Sequence, residues 1–271
     1  MDASLDILLQ KQIAALTQAG RLRRLRPWHW AQGKLHDAAG HALIDASSND
    51  YLGLSQHPLV KARAAEWAEL HGAGAPASRL VTGTRDITLA VEEKLAAFKG
   101  CEAALLFSSG FQANATVIPA LADVATGTSG VTGNQPHEQT TEIFSDELNH
   151  ASIVQGCRLA RSRTQIFRHN NLDHLDHLLG QSPGRKLIVT ETVFSMDGDR
   201  ADLPALVMLA ERHGASLYVD EAHATGVLGP QGRGLAARYG QSGGGVDVVM
   251  GTLGKAFGSF GAYIAGSRVL I

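Results

Sequence analysis

The sequence is poor in the features that mark disulfide-bonded, metal-binding, membrane and nucleic-acid-binding proteins. It holds only two cysteines, Cys101 and Cys157, and no CxxC pair. Neither a disulfide framework nor a cysteine-based zinc site is therefore expected. The 12 histidines are scattered, and no HExxH motif places two of them on one helix face, so no metal site is predicted.

Charge and hydropathy argue against two further classes. The 24 lysines and arginines against 26 acidic residues give a net charge of -2, which is not typical of a nucleic-acid-binding protein. No apolar run reaches the length of a membrane span, and the amphipathic start MDASLDILLQKQ differs from a signal peptide. We therefore expect a cytoplasmic protein with no membrane and no nucleic-acid partner.

The chain does contain apolar runs that alternate with amphipathic segments. With 271 residues, 44% of them hydrophobic, it can form one large domain or two modest ones. Helical spacing and start signals predict helices over 4–19, 58–71, 86–99, 149–161 and 203–213, and another that opens in SSGFQANATVIPAL. Apolar runs predict strands over 103–107, 142–145, 187–192, 216–223, 246–253 and 261–266, with short strand-like pieces around 33–45.

This alternation predicts an α/β fold whose mostly parallel sheet is covered by helices on both faces. We expect 1–46 to form an N-terminal helix and small-domain segment, and 47–271 to form the large domain. The polar segment 123–141 lacks periodicity and is predicted to be a mobile surface loop. Ligands of such sheets bind beyond the carboxyl ends of the strands, so the residues there are the site candidates.

Two motifs at predicted strand ends contain candidate binding residues. In LLFSSGFQAN, Gly110 and Phe111 open a helix directly after a strand, where free backbone N–H groups suit a phosphate. In YVDEAHATG, Asp220 ends a strand and His223 follows it. Taken alone, the first motif is an ordinary Gly- and Ser-containing loop, and the second is a capping Asp with a structural His. No GxxxxGK[ST] and no GxGxxG occurs, which argues against a P-loop and a dinucleotide fold.

A third motif, GTLGKAFG, places Thr252 and Lys255 after the last long strand. Most lysines are solvated surface charges, but partial desolvation would favour the neutral, nucleophilic amine. The phosphate cradle, the strand-end acid and the strand-end lysine together predict a pyridoxal phosphate site. In this interpretation Lys255 forms the Schiff base and Asp220 pairs with the pyridinium nitrogen.

Seven ordered blocks of the chain resemble the α-oxoamine synthases, pyridoxal-phosphate enzymes with the aspartate-aminotransferase fold (fold type I). The blocks are SSNDYLGLSQHP, SRLVTGT, LLFSSGFQAN, SDELNHASI, TETVFSMDGD, VDEAHATGVLGPQGRG and GTLGKAFG. The resemblance runs from about Arg21 to the last residue. It implies a pyridoxal-phosphate-binding large domain and a homodimer with its sites at the interface.

The resemblance also implies catalytic and ring-binding roles at the matching positions. Lys255 is implied to hold the cofactor covalently and to transfer the substrate proton. Asp220 is implied to pair with the ring nitrogen, and His150 to stack on the ring. His223 and Ser195 are both implied to reach the phenolic oxygen of the ring.

Phosphate and substrate roles follow from the same resemblance. Gly110 and Phe111 are implied to bind the phosphate through their backbone N–H groups, with help from the Thr252 hydroxyl. Asn49 matches the asparagine that lies near the acyl donor. Arg23 lies in the N-terminal basic stretch, where the family places an arginine that binds the substrate carboxylate.

Within the family, the blocks are most similar to members that condense L-alanine with a pimeloyl thioester in biotin synthesis, releasing CO₂ and a free thiol. The sequence does not tell pimeloyl-CoA from a pimeloyl-carrier protein. Glycine-using relatives, namely 2-amino-3-ketobutyrate ligase and 5-aminolevulinate synthase, stay as an alternative. A non-catalytic scaffold is disfavoured because Lys255 is present, and a transaminase is disfavoured by the LNHAS and SSNDYLG blocks.

The family continues past the position of GSRVLI into a C-terminal domain that carries a second arginine for the substrate carboxylate. We therefore expect this chain to lack that domain. We also expect the 271 residues alone to be catalytically weak or inactive, whereas the full-length parent is active.

Overall fold

The computed structural model describes residues 4–31, 33–124, 141–239 and 245–271, and the chain divides into two compact units after Ser48. The first unit begins with helix α1 (Leu5–Gln18), close to the predicted 4–19. Three short strands follow, β1 (His29–Ala31), β2 (Lys34–His36) and β3 (Ala42–Leu43), which pair antiparallel in that order. The strand-like region around 33–45 is thus a small antiparallel sheet.

The second unit, residues 49–271, is an alternation of helices and strands. Its helices are α2 (Pro58–His71), α3 (Asp86–Lys99), α4 (Gly110–Ala122), α5 (Ala151–Leu159), α6 (Leu172–Gln181) and α7 (Leu203–His213). Its strands are β4 (Ala103–Phe107), β5 (Glu142–Asp146), β6 (Thr164–Phe167), β7 (Lys186–Glu191), β8 (Ala215–Asp220), β9 (Val248–Thr252) and β10 (Ala262–Gly266).

The seven strands of this unit form one sheet in the order β4-β10-β9-β8-β7-β5-β6. Neighbouring strands from β9 to β6 run parallel, and β10 is antiparallel to both β9 and β4. The prediction of a mostly parallel sheet is confirmed. Glu191 and Asp220 are register partners on β7 and β8, so their side chains share one face at the carboxyl edge of the sheet.

Apolar side chains alternate between the two faces of the sheet, and each face is covered by helices. One core joins α4 and α5 to the face that carries Ile143, Val189 and Tyr218. The other joins α6 and α7 to the face that carries Ile188 and Leu217. Helix α3 packs on Tyr263 and Ala265 of β10. Helices on both faces leave the strand ends as the part of the sheet that is open to a ligand.

Local sequence sets where the helices begin and end. Helix α7 starts after Asp202, whose carboxylate accepts the N–H of Ala205 at 3.2 Å, and Pro204 fits its first turn. It ends at Gly214, whose φ of 59° is left-handed and favours glycine. Helix α4 starts in the same way after Ser109, whose hydroxyl oxygen accepts the N–H of Gln112 at 3.2 Å.

Strand β6 and helix α6 were not among the predicted elements. The strand sequence TQIF is short and partly polar because β6 lies at the edge of the described sheet, where β5 is its one partner among the described strands. In α6 the leucines at 172, 175, 178 and 179 do have helical spacing, and Asn171 caps the helix through the N–H of His174 at 2.8 Å.

Strand β8 ends at Asp220 rather than at the predicted residue 223. The carboxylate of Asp220 accepts the N–H of Ala222 at 2.8 Å, which turns the chain away from the sheet. Most of the predicted loop 123–141 lies outside the described residues. No helix in the described ranges is both long and apolar enough to cross a membrane.

Candidate active site

The carboxyl ends of the strands gather most of the predicted site residues of the second unit. At one end of this edge, β4 is followed by the turn into α4, where Ser109 caps the helix and Gly110 and Phe111 form its first turn. The first N–H groups of a helix have no intrahelical acceptor and lie at the positive end of its dipole. Such a helix start is suited to an anion, and phosphate binding by Gly110 and Phe111 stays a prediction.

Asp220 is a buried carboxylate, 3% exposed, that is held by neutral donors. Its Oδ2 accepts from Nδ2 of Asn114 at 2.8 Å, and its Oδ1 accepts from the N–H of Ala222. Burial raises the pKa of Asp220, and these hydrogen bonds partly oppose that rise. Within the described residues Asp220 forms no ion pair. A buried acid of this kind is suited to a cationic ligand group.

The amide of Asn114 links Asp220 to His150. Asn114 Nδ2 donates to Oγ of Ser152 at 2.9 Å, and the hydroxyl of Tyr218 donates to Asn114 Oδ1 at 2.6 Å. His150 caps α5, and its Nδ1 accepts the N–H of Ser152 and lies 2.7 Å from the Ser152 hydroxyl. In the tautomer that this network assigns, Nδ1 of His150 is the acceptor and Nε2 carries the proton.

Glu191 is a second buried acid beside Asp220. Its Oε1 accepts the backbone N–H of His150 at 2.7 Å. Burial and the neighbouring charge of Asp220 raise the pKa of Glu191 to about 8. Glu191 is therefore largely protonated at neutral pH.

Lys255 ends a chain of side chains that starts at Asn49. Its Nζ lies 2.7 Å from Nε2 of His223, and Nδ1 of His223 lies 2.6 Å from the hydroxyl of Tyr51. The Tyr51 hydroxyl donates to Oδ1 of Asn49 at 3.2 Å. Since that hydroxyl has one proton, His223 donates through Nδ1 to the Tyr51 oxygen and accepts from Lys255 through Nε2.

The surroundings of His223 and Lys255 shift both pKa values in the direction that these hydrogen bonds require. Burial, followed by the charges of Lys255 and His150, lowers the pKa of His223 to about 4, so the ring is neutral at pH 7. Burial also lowers the pKa of Lys255, while the charges of Asp220 and Glu191 oppose this. A lysine whose ammonium form is disfavoured has a larger fraction of nucleophilic amine.

Thr252, Ser195 and Arg23 are the predicted site residues whose surroundings say least about their predicted roles. Thr252 donates its hydroxyl proton to the carbonyl of Gly261 at 3.1 Å and accepts the N–H of Gly254 at 3.2 Å. Ser195 is half-buried in the turn after β7. Arg23 belongs to the first compact unit, so its role toward this site stays a prediction.

The sequence reasoning missed four polar residues that hold the predicted ones: Tyr51, Asn114, Ser152 and Glu191. Each lies inside a motif that was singled out, namely SSNDYLG, FSSGFQAN, LNHAS and TETVFSMDGD. Two of these residues could have been found from the sequence, because Asn114 and Ser152 are polar residues on the buried faces of amphipathic helices. Among the described residues, no group of three or more His, Cys, Asp or Glu side chains could hold a metal ion.

Comparison with known proteins gives the same kind of fold and names related enzymes. The model of the family "Aminotransferase class I and II" matches residues 42–271. An 8-amino-7-oxononanoate synthase of Gluconacetobacter diazotrophicus is 56% identical over 234 residues, which are 85% of this chain and 56% of that protein. One from Geobacter sulfurreducens is 47% identical over 262 residues, which are 96% of this chain and 63% of that protein.

Solved structures of related enzymes superpose well. A serine palmitoyltransferase of Sphingomonas wittichii has a TM-score of 0.75 at 30% identity, covering 98% of this chain and 63% of that one. The 8-amino-7-oxononanoate synthase of Francisella tularensis has a TM-score of 0.65 at 28% identity, covering 83% and 58%. The chain spans less than two thirds of the length of each of these relatives. The family match over most of the chain and the shared fold lead to one conclusion: the chain belongs to the class I and II aminotransferase family.

Proposed function

We propose that this chain is the cofactor-binding part of an 8-amino-7-oxononanoate synthase. The whole protein would condense L-alanine with a pimeloyl thioester, on coenzyme A or a carrier protein, and release CO₂ and the free thiol. The names of the relatives at 47% and 56% identity support this assignment. Because the chain spans only part of those relatives, the reaction is proposed for the whole protein, as a homodimer.

The donor set fits pyridoxal phosphate. The α4 N-terminus offers backbone N–H groups to the phosphate, and the buried carboxylate of Asp220 offers a partner to a protonated ring nitrogen. Lys255 offers an amine whose ammonium form is disfavoured by burial. A serine palmitoyltransferase of S. paucimobilis, 30% identical with a TM-score of 0.75, is described with bound PLP. When bound, this cofactor supplies an electron sink for the carbanion formed at the amino-acid α-carbon.

The observation that carries the proposal is that Asp220 ends β8 and Lys255 follows the neighbouring parallel strand β9, so both lie at the same edge of the sheet. Asp220 would keep a proton on the ring nitrogen, and Asn114 and the N–H of Ala222 would keep Asp220 ionised and oriented. Glu191 would hold the start of α5, and with it His150, through the His150 N–H.

Lys255 would act as the base at the substrate α-carbon, because its ammonium form loses its proton more readily than that of an exposed lysine and leaves an amine that can accept one. The neutral ring of His223 would accept a hydrogen bond from Nζ of Lys255 and orient it. Tyr51 and Asn49 would in turn fix the tautomer of His223 through its Nδ1 proton.

The first test is the visible absorption spectrum of the chain with added pyridoxal phosphate. We expect the absorption of lysine-bound cofactor in the wild type and in Lys94→Ala, since Lys94 is an exposed lysine of α3, but not in Lys255→Ala. Absence of this absorption in the wild type, or its persistence in Lys255→Ala, would contradict the proposed site.

The second test separates the candidate reactions. The full-length protein is offered L-alanine with pimeloyl-CoA, glycine with acetyl-CoA or succinyl-CoA, and L-serine with palmitoyl-CoA, and thiol release is followed. We expect release chiefly with the first pair. A preference for glycine would favour the alternative α-oxoamine synthases, and a preference for serine would favour the activity named for the structural relatives.

A further inference from the structure

A cluster of charged side chains beside the candidate site has no role in the chemistry proposed above. His169 follows β6, Asp146 ends β5, and Asp199 lies in the turn after β7. Nδ1 of His169 lies 2.8 Å from Oδ1 of Asp146, and its Nε2 lies 2.8 Å from Oδ2 of Asp199. An ionised carboxylate accepts but cannot donate a hydrogen bond, so both ring nitrogens are donors and the ring is an imidazolium.

The surroundings of His169 favour that charge. The side chain of Asp146 is 1% exposed and that of His169 is 20% exposed, and the imidazole packs perpendicular to the ring of Phe194 with ring centroids 4.4 Å apart. Burial lowers the pKa of His169, but the hydrogen bonds and charges of Asp146 and Asp199 outweigh it, so the pKa is raised overall.

Other titratable groups around His169 come from three elements. Oε1 of Glu147, next to β5, accepts the backbone N–H of His169 at 2.8 Å. Arg168 precedes His169, and its N–H donates to Nδ1 of His174 in α6. Arg200 follows Asp199, and its carbonyl accepts from Asn170. None of these side chains replaces the two carboxylates at the ring nitrogens.

Asn170 makes a second bridge between the same two carboxylates. Its N–H donates to Oδ2 of Asp146 at 3.0 Å, and its Nδ2 donates to Oδ2 of Asp199 at 2.7 Å. Its φ is 50°, a left-handed value that is uncommon outside glycine but accessible to asparagine. The adjacent residues His169 and Asn170 thus both bridge Asp146 and Asp199, and Asn170 adopts an unusual backbone conformation to do so.

Each of the two acidic residues also holds a turn that bears a predicted cofactor residue, Asp146 through its carboxylate and its carbonyl and Asp199 through its carbonyl. Asp146 accepts the N–H of Leu148 at 2.9 Å through its carboxylate and the N–H of Asn149 through its carbonyl, which shapes the turn before His150. The carbonyl of Asp199 accepts the N–H of Phe194 at 3.0 Å and closes the turn 194–199, which contains Ser195.

We propose that His169 is a positioning residue whose imidazolium, shared between Asp146 and Asp199, ties the turn before His150 to the turn that carries Ser195. The link to the cofactor rests on the proposed function; the tie between the turns does not. Because the pKa of His169 is raised on folding, the tie is complete below the ordinary histidine pKa and is lost as the pH rises through the raised value.

The test compares His169→Gln with His213→Gln by amide hydrogen exchange in the chain without cofactor. His213 is a matched control, since its Nε2 lies 2.6 Å from Oδ1 of Asp176 between α6 and α7, away from both turns. At pH 6 we expect the protection factors of the Asn149, Phe194 and Gly198 amides to fall about tenfold or more in His169→Gln only, because hydrogen bonds to charged partners are lost. In the wild type the same protection factors should fall as the pH rises, and in His169→Gln they should not depend on pH.

Asp199→Asn provides a second variant, which is decisive if His169→Gln does not fold. It keeps the size of the side chain, removes one charge facing the ring, and should move the pH midpoint of protection to a lower value. Unchanged protection in His169→Gln, or an unmoved midpoint in Asp199→Asn, would overturn the tie.

A pyridoxal phosphate titration of the same proteins tests the positioning. We expect the Kd to rise in His169→Gln and not in His213→Gln, and to rise with pH in the wild type along with the loss of protection. Loss of protection with an unchanged Kd would overturn the positioning role. A third outcome is that His169→Gln loses protection while the wild type binds no cofactor. That result would overturn the proposed function but would still support the tie between the turns.

Discussion

Replacing Lys99 with methionine should destabilise the protein far more than the same change at Lys94 in the same helix. Lys99 lies at the end of α3 with its side chain 1% exposed, and its Nζ donates to Oε2 of Glu221, which is 0% exposed, at 2.5 Å. Nζ also donates to the carbonyl of Arg233, and the other oxygen of Glu221 accepts the N–H of Ala236 at 2.8 Å. The pair therefore anchors the segment after β8 to α3.

The size of the destabilisation follows from the unpaired buried carboxylate of Glu221 that Lys99→Met would leave. Removing one partner of a buried ion pair strands an uncompensated charge and costs about 3–5 kcal/mol. With 271 residues and ~2.1 cal/mol/K of unfolding entropy per residue, this corresponds to a fall in Tm of roughly 5–9 °C. Lys94 is exposed, so Lys94→Met should change the free energy of unfolding by no more than about 0.5 kcal/mol.

Urea and thermal unfolding followed by circular dichroism would measure both variants, and the variants Glu221→Gln and Lys99→Met/Glu221→Gln complete a double-mutant cycle. Glutamine keeps an acceptor for Ala236 without the buried charge, so the double variant should be more stable than Lys99→Met alone. If Lys99→Met is as stable as Lys94→Met, or if the second substitution adds further destabilisation, the argument from a stranded charge is wrong.

Three further predictions concern the site, a turn and the thiols. The rate at which pyridoxal phosphate becomes lysine-bound should rise with pH and reach its half-maximum below the ordinary lysine pKa, because burial lowers the pKa of Lys255; stopped-flow absorbance against pH measures this. Gly234→Ala should lower Tm more than Gly214→Ala: both have positive φ, but only at Gly234 would a Cβ meet a buried carboxylate oxygen, at 2.0 Å. Equal losses of Tm would show that backbone strain alone sets the cost. Cys101 and Cys157 should react slowly with a thiol reagent at pH 8 in the folded chain and quickly in denaturant, since burial raises the pKa of each to about 11; rapid reaction of the folded chain would contradict that burial.

Much of the second unit could be predicted from the sequence because its elements are locally encoded. Apolar runs such as AALLF and LIVTET predicted strands β4 and β7, and helical spacing predicted helices such as α3 and α7. Strand β6 was not predicted, because a strand at the edge of a sheet needs no continuous apolar run. The antiparallel direction of β10 could not be predicted either, because an apolar run indicates a buried strand but not its direction in the sheet.

The sequence by itself determined where the residues predicted to carry the chemistry of the candidate site lie. Asp220 and Lys255 each follow a recognisable strand, so their place at the strand edge follows from the alternation of elements. What only the tertiary structure decided is which neutral and charged groups surround them. Asn114 reaches Asp220 from α4, and Tyr51 reaches His223 from the other end of the unit. Such contacts depend on how helices pack on a sheet. Local sequence patterns do not predict which residues far apart in the sequence will meet.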